Sequence, residues 1–292
     1  MFYQIDLDEE LKQVERAAQY YLNARDILRS LHDDTVNTYY RSLFTTTSDR
    51  NLNFKALFFA MRLQPVLTYI AAFQQTHNRP PQILDIGCGF GLESILLVHS
   101  GAQVHGLDGS DAKIAGAEKL RAAYEAAFAN QLKLTYQVSN LFQFHPERQF
   151  DAVYSSATLH HIEPISEAIL TIADFLAPGG TFFLSDENGY SPAQQVAVQK
   201  RIGWTSSRKY WQTNHETGEK FLYGNENIRA PFQWIRHVRK AGMHPETIKY
   251  CRFLPPVNWP IDRLVRAERR LRRIPLVTQL WAIGFLLTSR KP

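Results

Sequence analysis

The apolar positions change their period once along the chain. Up to residue 80 they recur at helical spacing: Leu7, Leu11, Val14, Ala18, Tyr21 and Leu22, then Leu28, Leu31, Val36, Tyr39, Tyr40 and Leu43. Phe54 to Phe73 makes a third apolar-rich segment, interrupted by Pro65, and Pro80-Pro81 breaks the chain. From there short apolar runs alternate with helical stretches. Ile83-Leu84-Asp85-Ile86 reads as a buried strand, Leu92 to Val98 as the start of a helix, and Gln103 to Asp108 as a short strand ending in an acid. Ala112 to Ala129 is an alanine-rich helix and Leu132 to Val138 a third strand. Phe150 to Ile162 is a fourth strand with its loop, followed by a helix over Ile165 to Leu176 and a fifth strand over Thr181 to Ser185. Residues 190–230 break this pattern. It resumes with a helix over Phe232 to Ala241, a strand over Thr247 to Phe253, a basic helix over Ile261 to Ile274 and a last strand within Leu280 to Leu287.

Between the first strand and its helix stand Gly87, Gly89 and Gly91, spaced G-x-G-x-G. Glycines let the backbone turn tightly and a ligand come close, and the helix N-terminus offers free N–H groups. That reads as a nucleotide-type cofactor site. The G-x-G-x-x-G spacing of dinucleotide folds places a pyrophosphate there. Here Asp85 precedes the glycines, and its carboxylate would repel a pyrophosphate but suits a ligand with an ammonium group. Asp108 lies seventeen residues beyond Gly91, where such folds hold ribose hydroxyls with an acid. Its competing role is a helix N-cap, which Ser110 or Asp111 would serve equally well.

The stretch D-I-G-C-G-F-G closely resembles the first motif of class I S-adenosylmethionine (SAM)-dependent methyltransferases. Ser139-Asn140-Leu141 stands where that family often has Asp beside the adenine, and Asn140 departs from the pattern. Tyr154-Ser155-Ser156-Ala157-Thr158-Leu159-His160-His161 resembles the fourth motif in its small-molecule form, and L-A-P-G-G-T-F-F-L-S-D resembles the sixth. The ordered motifs cover roughly residues 80–188. The resemblance implies a Rossmann-like α/β fold: a seven-stranded, mostly parallel sheet in the order 3-2-1-4-5-7-6, its last strand antiparallel, with an N-terminal helical extension and a helical insertion. It implies SAM as cofactor, held by Asp85, Gly87, Cys88, Gly89, Gly91, Asp108, Gly109, Asn140, Leu141 and Ser155, with no metal. His161, His160 and Glu187, at strand ends, are the candidates for acid–base work or acceptor positioning.

The acceptor is read from what is missing and from the flanks. The D/N-P-P-Y/F motif of amino-directed DNA enzymes, the nucleophilic cysteine of cytosine-C5 enzymes and the paired glutamates of arginine enzymes are absent, so DNA is not expected and a small molecule is: a secondary metabolite, a lipid- or quinone-like molecule or a sugar, methylated at O, N or C. Residues 1–80 form an extension or cap before a methyltransferase domain over 81–292, and residues 189–230 are a possible acceptor lid. Tyr20, Tyr21, Tyr39, Tyr40, Phe44, Phe58 and Phe59 either line a pocket or, more commonly at helical spacing, pack in a core.

Composition adds limits. The two cysteines, Cys88 and Cys251, make no disulfide framework, and with no signal-peptide pattern at Met1 to Glu10 a cytoplasmic setting is expected. No run is expected to reach the roughly 18 apolar residues of a membrane span. The net charge of +5 is modest but uneven. Arg263 to Arg273 is a basic segment suited to a solvated face, an anionic acceptor or a membrane surface. Two alternatives follow: a noncatalytic SAM-fold binding protein, and a peripheral membrane or RNA-associated protein using the basic helix.

Overall fold

A computed structural model describes residues 7–30, 52–204, 207–213 and 220–292. Seven strands form one sheet in the order β3-β2-β1-β4-β5-β9-β8, and β6 with β7 forms a separate two-stranded hairpin. With the hairpin set aside, β8 and β9 are the sixth and seventh strands of the sheet, so the order is the one the sequence motifs implied. The chain divides into two units, Met1–Asn140 with Leu254–Arg270 and Leu141–Phe253 with Leu271–Pro292.

The first unit contains α1 (Leu7–Ser30), α2 (Leu52–His77), β1 (Gln82–Ile86), α3 (Leu92–His99), β2 (Gln103–Asp108), α4 (Asp111–Phe128) and β3 (Leu134–Val138). β1 pairs in parallel with β2, and β2 with β3. Ile83, Leu84 and Ile86 are buried on both faces of β1, as a central parallel strand requires. Ile95 and Leu97 of α3 and Leu120 and Tyr124 of α4 join this core. α1 packs along α2, and its Val14, Ala17 and Ala18 are buried. Ser110 caps α4 by accepting the Lys113 N–H.

Two expectations for this unit change. The span over Asn53–His77 is long and apolar enough to cross a membrane, where the sequence reading expects no such run. Of its most apolar window, 56% is buried inside the protein, and Arg62 within it pairs with Glu93 at 2.8 Å. These are features of a core helix. Pro65 lies inside it without ending it. Of the aromatics, Tyr21, Phe58 and Phe59 are core residues and Tyr20 is half-buried beside them: Tyr20 stacks on Phe59 and packs on Tyr124, and Tyr21 lies 5.0 Å from Phe59. Tyr39, Tyr40 and Phe44 lie outside the described residues.

The second unit contains β4 (Phe150–Ser156), a 3₁₀ turn (Leu159–His161), α5 (Ile165–Phe175), β5 (Leu176–Glu187), α6 (Pro192–Ile202), β6 (Lys209–Thr213), β7 (Lys220–Gly224), α7 (Pro231–Lys240) and β8 (His244–Cys251). The chain then contributes α8 (Ile261–Leu271), nearly all of it counted with the first unit, and returns to the second with α9 (Pro275–Trp281) and β9 (Gly284–Arg290). β4 pairs in parallel with β5, while β9 runs antiparallel to both β5 and β8. Phe182, Phe285 and Trp234 are among its largest buried side chains.

The insertion is helix plus hairpin rather than helical throughout. Lys209-Tyr-Trp-Gln-Thr and Lys220-Phe-Leu-Tyr-Gly pair in register with Tyr210 opposite Tyr223, and their aromatic content suits a strand. The basic helix stops at Leu271 because Ile274 precedes Pro275, which disfavours helical backbone there. Pro275 instead starts α9, so the expected strand over Leu280 to Leu287 begins at Gly284.

Candidate functional site

In the first unit the chain leaves β1 through Gly87, Gly89 and Gly91, all at positive φ (73°, 55° and 75°). The Gly87 and Cys88 N–H groups donate to the Leu107 carbonyl, at 2.7 and 3.1 Å, which ties the loop to β2. Gly91 is the N-cap of α3. A Cβ on Gly89 or Gly109 would meet nothing within 4 Å, so these two backbone positions border open space. Gly91 is different: a Cβ there would collide with the Tyr136 hydroxyl, which donates to the Gly91 carbonyl at 3.3 Å. Tyr136, on β3, also lies over Gly106 of β2, so its ring braces the loop from beneath.

Two carboxylates attend this loop. Asp108 accepts the Gly89 N–H and the Ser110 N–H, each at 3.0 Å, and Lys113 Nζ stands 3.7 Å away. It bridges the ends of β1 and β2, and Ser110 rather than Asp108 does the helix capping. Asp85 is buried and accepts the Ser94 hydroxyl at 2.6 Å. Burial pushes its pKa up to about 8, against the opposing pull of the Ser94 hydrogen bond. A buried carboxylate so placed would ionise against a cationic ligand group. Burial also raises the Cys88 thiol, which leaves Cys88 an inert lining residue. Asn140 is exposed at the edge of this unit.

The second unit carries the histidines. His160 is buried, and its Nδ1–H donates to Asp186 Oδ1 at 2.7 Å. The same oxygen accepts the Glu187 N–H, and Asp186 Oδ2 is buried without a hydrogen-bond partner among the described residues. Burial alone would lower the His160 pKa; the Asp186 carboxylate outweighs it and raises it to about 9. His161 is half-buried. Its Nδ1–H donates to the Gly224 carbonyl at 2.9 Å, which leaves Nε2 as the proton acceptor. Burial, then the neighbouring His160, lowers its pKa. Adjacent imidazoles are thus driven apart, His160 toward the cation and His161 toward the neutral base. Such a split marks acid and base assignments in enzyme sites.

The polar groups beside the histidines are engaged locally. Glu187 accepts from Gln194 and from Arg201, the latter at 3.3 Å, so its carboxylate is tied to α6. Asn188 donates to the Gln279 and Ala282 carbonyls of α9 and its terminus. Leu141 and Ser155 are buried.

Sequence reasoning missed Ser94, Tyr136, Asp186 as the partner of His160, and Gly224. It also missed Glu163 and Arg229. Arg229 donates to Glu163, which also accepts from Asn227 and, at 3.1 Å, from the Ile165 N–H. Only Asp186 belongs to a contiguous motif, the sixth, and that motif does not reveal its pairing with His160; 63 residues separate His161 from Gly224. The one local signal was Glu163 beside the histidines.

The loop's features suit SAM: open backbone at Gly89 and Gly109, a carboxylate at the end of β2 for hydroxyls, and the buried Asp85 for an ammonium group. Among the described residues no cluster of ligands could hold a metal.

Comparison with known proteins agrees. Residues 60–241 match the family model described as a methyltransferase domain. The ubiquinone biosynthesis O-methyltransferase of Rickettsia akari (strain Hartford) is 24% identical over 169 residues, 57% of this chain and 62% of that protein. Its namesake from Yersinia pestis (strain Pestoides F) is 32% identical over 150 residues, 50% of this chain and 58% of that one. The chain thus spans about three fifths of the length of these curated relatives. Among solved structures, magnesium protoporphyrin IX methyltransferase from Synechocystis PCC 6803 with bound SAM shares the fold. Its TM-score is 0.53 at 14% identity, covering 92% of this chain and 97% of that one. With the family model matching more than half of its length and the sheet order that accompanies it, the chain belongs to the methyltransferase domain family, in its class I, SAM-dependent form.

Proposed function

We propose that this protein transfers a methyl group from SAM to the oxygen of a small-molecule acceptor that must lose a proton on methylation. The observation that carries this reading is the split histidine pair after β4, His161 neutral and His160 held cationic by Asp186. SAM, when bound, supplies an electrophilic methyl group. Asp108 would accept from its ribose hydroxyls, Asp85 would favour its ammonium group, and Gly89 and Gly109 would let it approach the backbone. Cys88, Asn140, Leu141 and Ser155 complete the proposed cofactor set. His161 Nε2 takes the acceptor proton, while its Nδ1–H bond to Gly224 fixes tautomer and ring direction. The relatives named as ubiquinone biosynthesis O-methyltransferases support an oxygen acceptor and, among the small molecules expected from the sequence, a quinone-like one.

Titration calorimetry with SAM, followed by an acceptor screen with methyl-labelled SAM, tests the reading. Binding of SAM with label transferred to a hydroxyl compound is the expected result. Absence of SAM binding up to millimolar concentration would leave a noncatalytic protein of the same fold. A cytoplasmic setting and a peripheral contact of the Arg263–Arg273 segment belong to the same proposal. The second is supported by exposed cations on α8 such as Arg266, and loss of liposome binding at high salt would be its signature.

A further inference from the structure

The turn that carries the histidines is stitched along its whole length to the second strand of the hairpin and the loop that follows it. The Gly224 carbonyl receives the His161 Nδ1–H at 2.9 Å. Ile162 forms an isolated antiparallel bridge with Tyr223, and the Tyr223 ring stacks on His161 at 5.3 Å. The Asn227 N–H donates to the His160 carbonyl at 3.2 Å. Gly224 approaches so closely that a Cβ would stand 2.5 Å from the His160 oxygen. Two residues beyond His161, the Glu163 carboxylate is buried and gathers Arg229, Asn227, the Ile165 N–H and, at 3.3 Å, Lys209 from β6.

Arg229 is the hub of this arrangement. Its guanidinium is buried against Glu163, also donates to the Asn227 carbonyl at 3.1 Å, and lies 5.4 Å over the Trp234 ring at the start of α7. Its own carbonyl accepts the Gly189 N–H at 3.0 Å, just beyond β5, where a Cβ on Gly189 would collide with the Arg229 backbone. One residue therefore joins the turn after β4, the end of β5 and the first turn of α7. A planar guanidinium with several fixed donors is suited to hold two oxygens in register, which an ammonium cannot do.

We propose that Arg229, acting through Glu163, is a positioning residue for His161: it sets the direction in which the His161 imidazole stands by clamping the histidine turn onto the Tyr223–Asn227 segment. The inference rests on the reading of His161 as the acceptor-side base, but its geometry stands without it. Arg229 itself is assigned no contact with a reacting atom. Burial lifts the Glu163 pKa and Arg229 outweighs that, holding it below the ordinary carboxylate value, so the pair stays charged through the working pH range.

The test uses the full chain, with His161 followed by nuclear magnetic resonance of its imidazole carbons and protons in Arg229→Lys, Arg229→Met and Glu163→Gln. The charged groups that bear on His161 are His160, Asp186 and Glu226, and all are unaltered in these variants. In the wild-type protein the His161 protons are expected to carry an upfield shift from the Tyr223 ring, and the His161 ring to titrate below its ordinary value. Arg229→Met is expected to remove most of that shift and return the titration toward the ordinary histidine value, with Arg229→Lys and Glu163→Gln intermediate. SAM affinity should stay unchanged in all three, and turnover should fall on kcat rather than on the KM for SAM. Should Arg229→Met fail to fold, the two conservative variants decide: a folded Arg229→Lys and a folded Glu163→Gln with wild-type His161 shift and titration overturn the clamp. A wild-type protein that shows the expected His161 signature but transfers no methyl group would sink the enzymatic reading and leave the clamp standing.

Discussion

The glycine loop after β1 and the histidine turn after β4 both sit at the C-terminal ends of parallel strands, yet they are built by opposite means. The loop is made of backbone: glycines at positive φ, N–H groups donated to Leu107 and Asp108, and one ring, Tyr136, as a brace. Its parts lie within about fifty residues and three adjacent strands. The turn is made of side chains and is held by residues 26 to 66 positions away, from Asp186 to Arg229. A backbone site tolerates change of the residues around its glycines. A side-chain site is lost when a distant partner changes. The half proposed for the methyl donor is therefore locally encoded, while the half proposed for the acceptor also depends on residues of the insertion, Gly224 and Arg229 among them.

The largest effect expected from this contrast is loss of turnover without loss of cofactor. His161→Ala should lower kcat by roughly 10²–10⁴-fold, the usual worth of a positioned general base, with SAM affinity unchanged by calorimetry. An undiminished rate would return His161 to a structural role and erase the distinction between the two sites. Next comes the loop. Asp108→Ala removes the acceptor for the Gly89 and Ser110 N–H groups and should weaken SAM binding by more than about tenfold, or ~1.4 kcal/mol. Equal affinity in the variant would mean that the ribose is held elsewhere.

A smaller effect is expected at Gly91. Alanine at its φ of 75° costs about 1–2 kcal/mol and crowds Tyr136, so Gly91→Ala should lower stability in a denaturant titration by about that amount. Gly91→Ala with Tyr136→Phe should recover part of it, since the hydroxyl is the nearest atom.

A further effect, confined to a pH window rather than to activity, is expected in the pH dependence of folding. The His160 pKa is raised from 6.5 to about 9 by Asp186, so the folded state holds its proton more tightly than the unfolded chain. That stabilisation is complete below pH 6.5 and is lost as pH rises through about 9. Asp186→Asn should flatten the stability profile across this window. A profile unchanged by the substitution would show that the pair does not hold a proton, and the split between the two imidazoles would fall with it.

Much of the fold was legible because its signals are short-range. The alternation of apolar runs and helical stretches from residue 82 onward, together with the motifs around Gly87, Asp108, His160 and Gly179, led to the observed sheet order. Boundaries moved where a proline acted at a distance of one residue, as at Pro275, or where short strands lie within an irregular polar stretch, as β6 and β7 do. Pro65 was read as an interruption and is carried inside α2. The apolar content of that helix could not tell span from core, since both ask only for a long apolar stretch; its burial against α1 separates them.

Periodic and contiguous features needed no fold to be read: the order of strands and helices, the glycine loop with its two acids, and the presence of two histidines at a strand end. How those histidines differ emerged only when the chain was folded. Neighbours with the same side chain, they diverge because one meets the carboxylate of Asp186 and the other the carbonyl of Gly224. The reason is electrostatic. A pKa is set by whichever charges and dipoles lie within a few ångströms, and in a folded chain those come from residues that no local pattern connects.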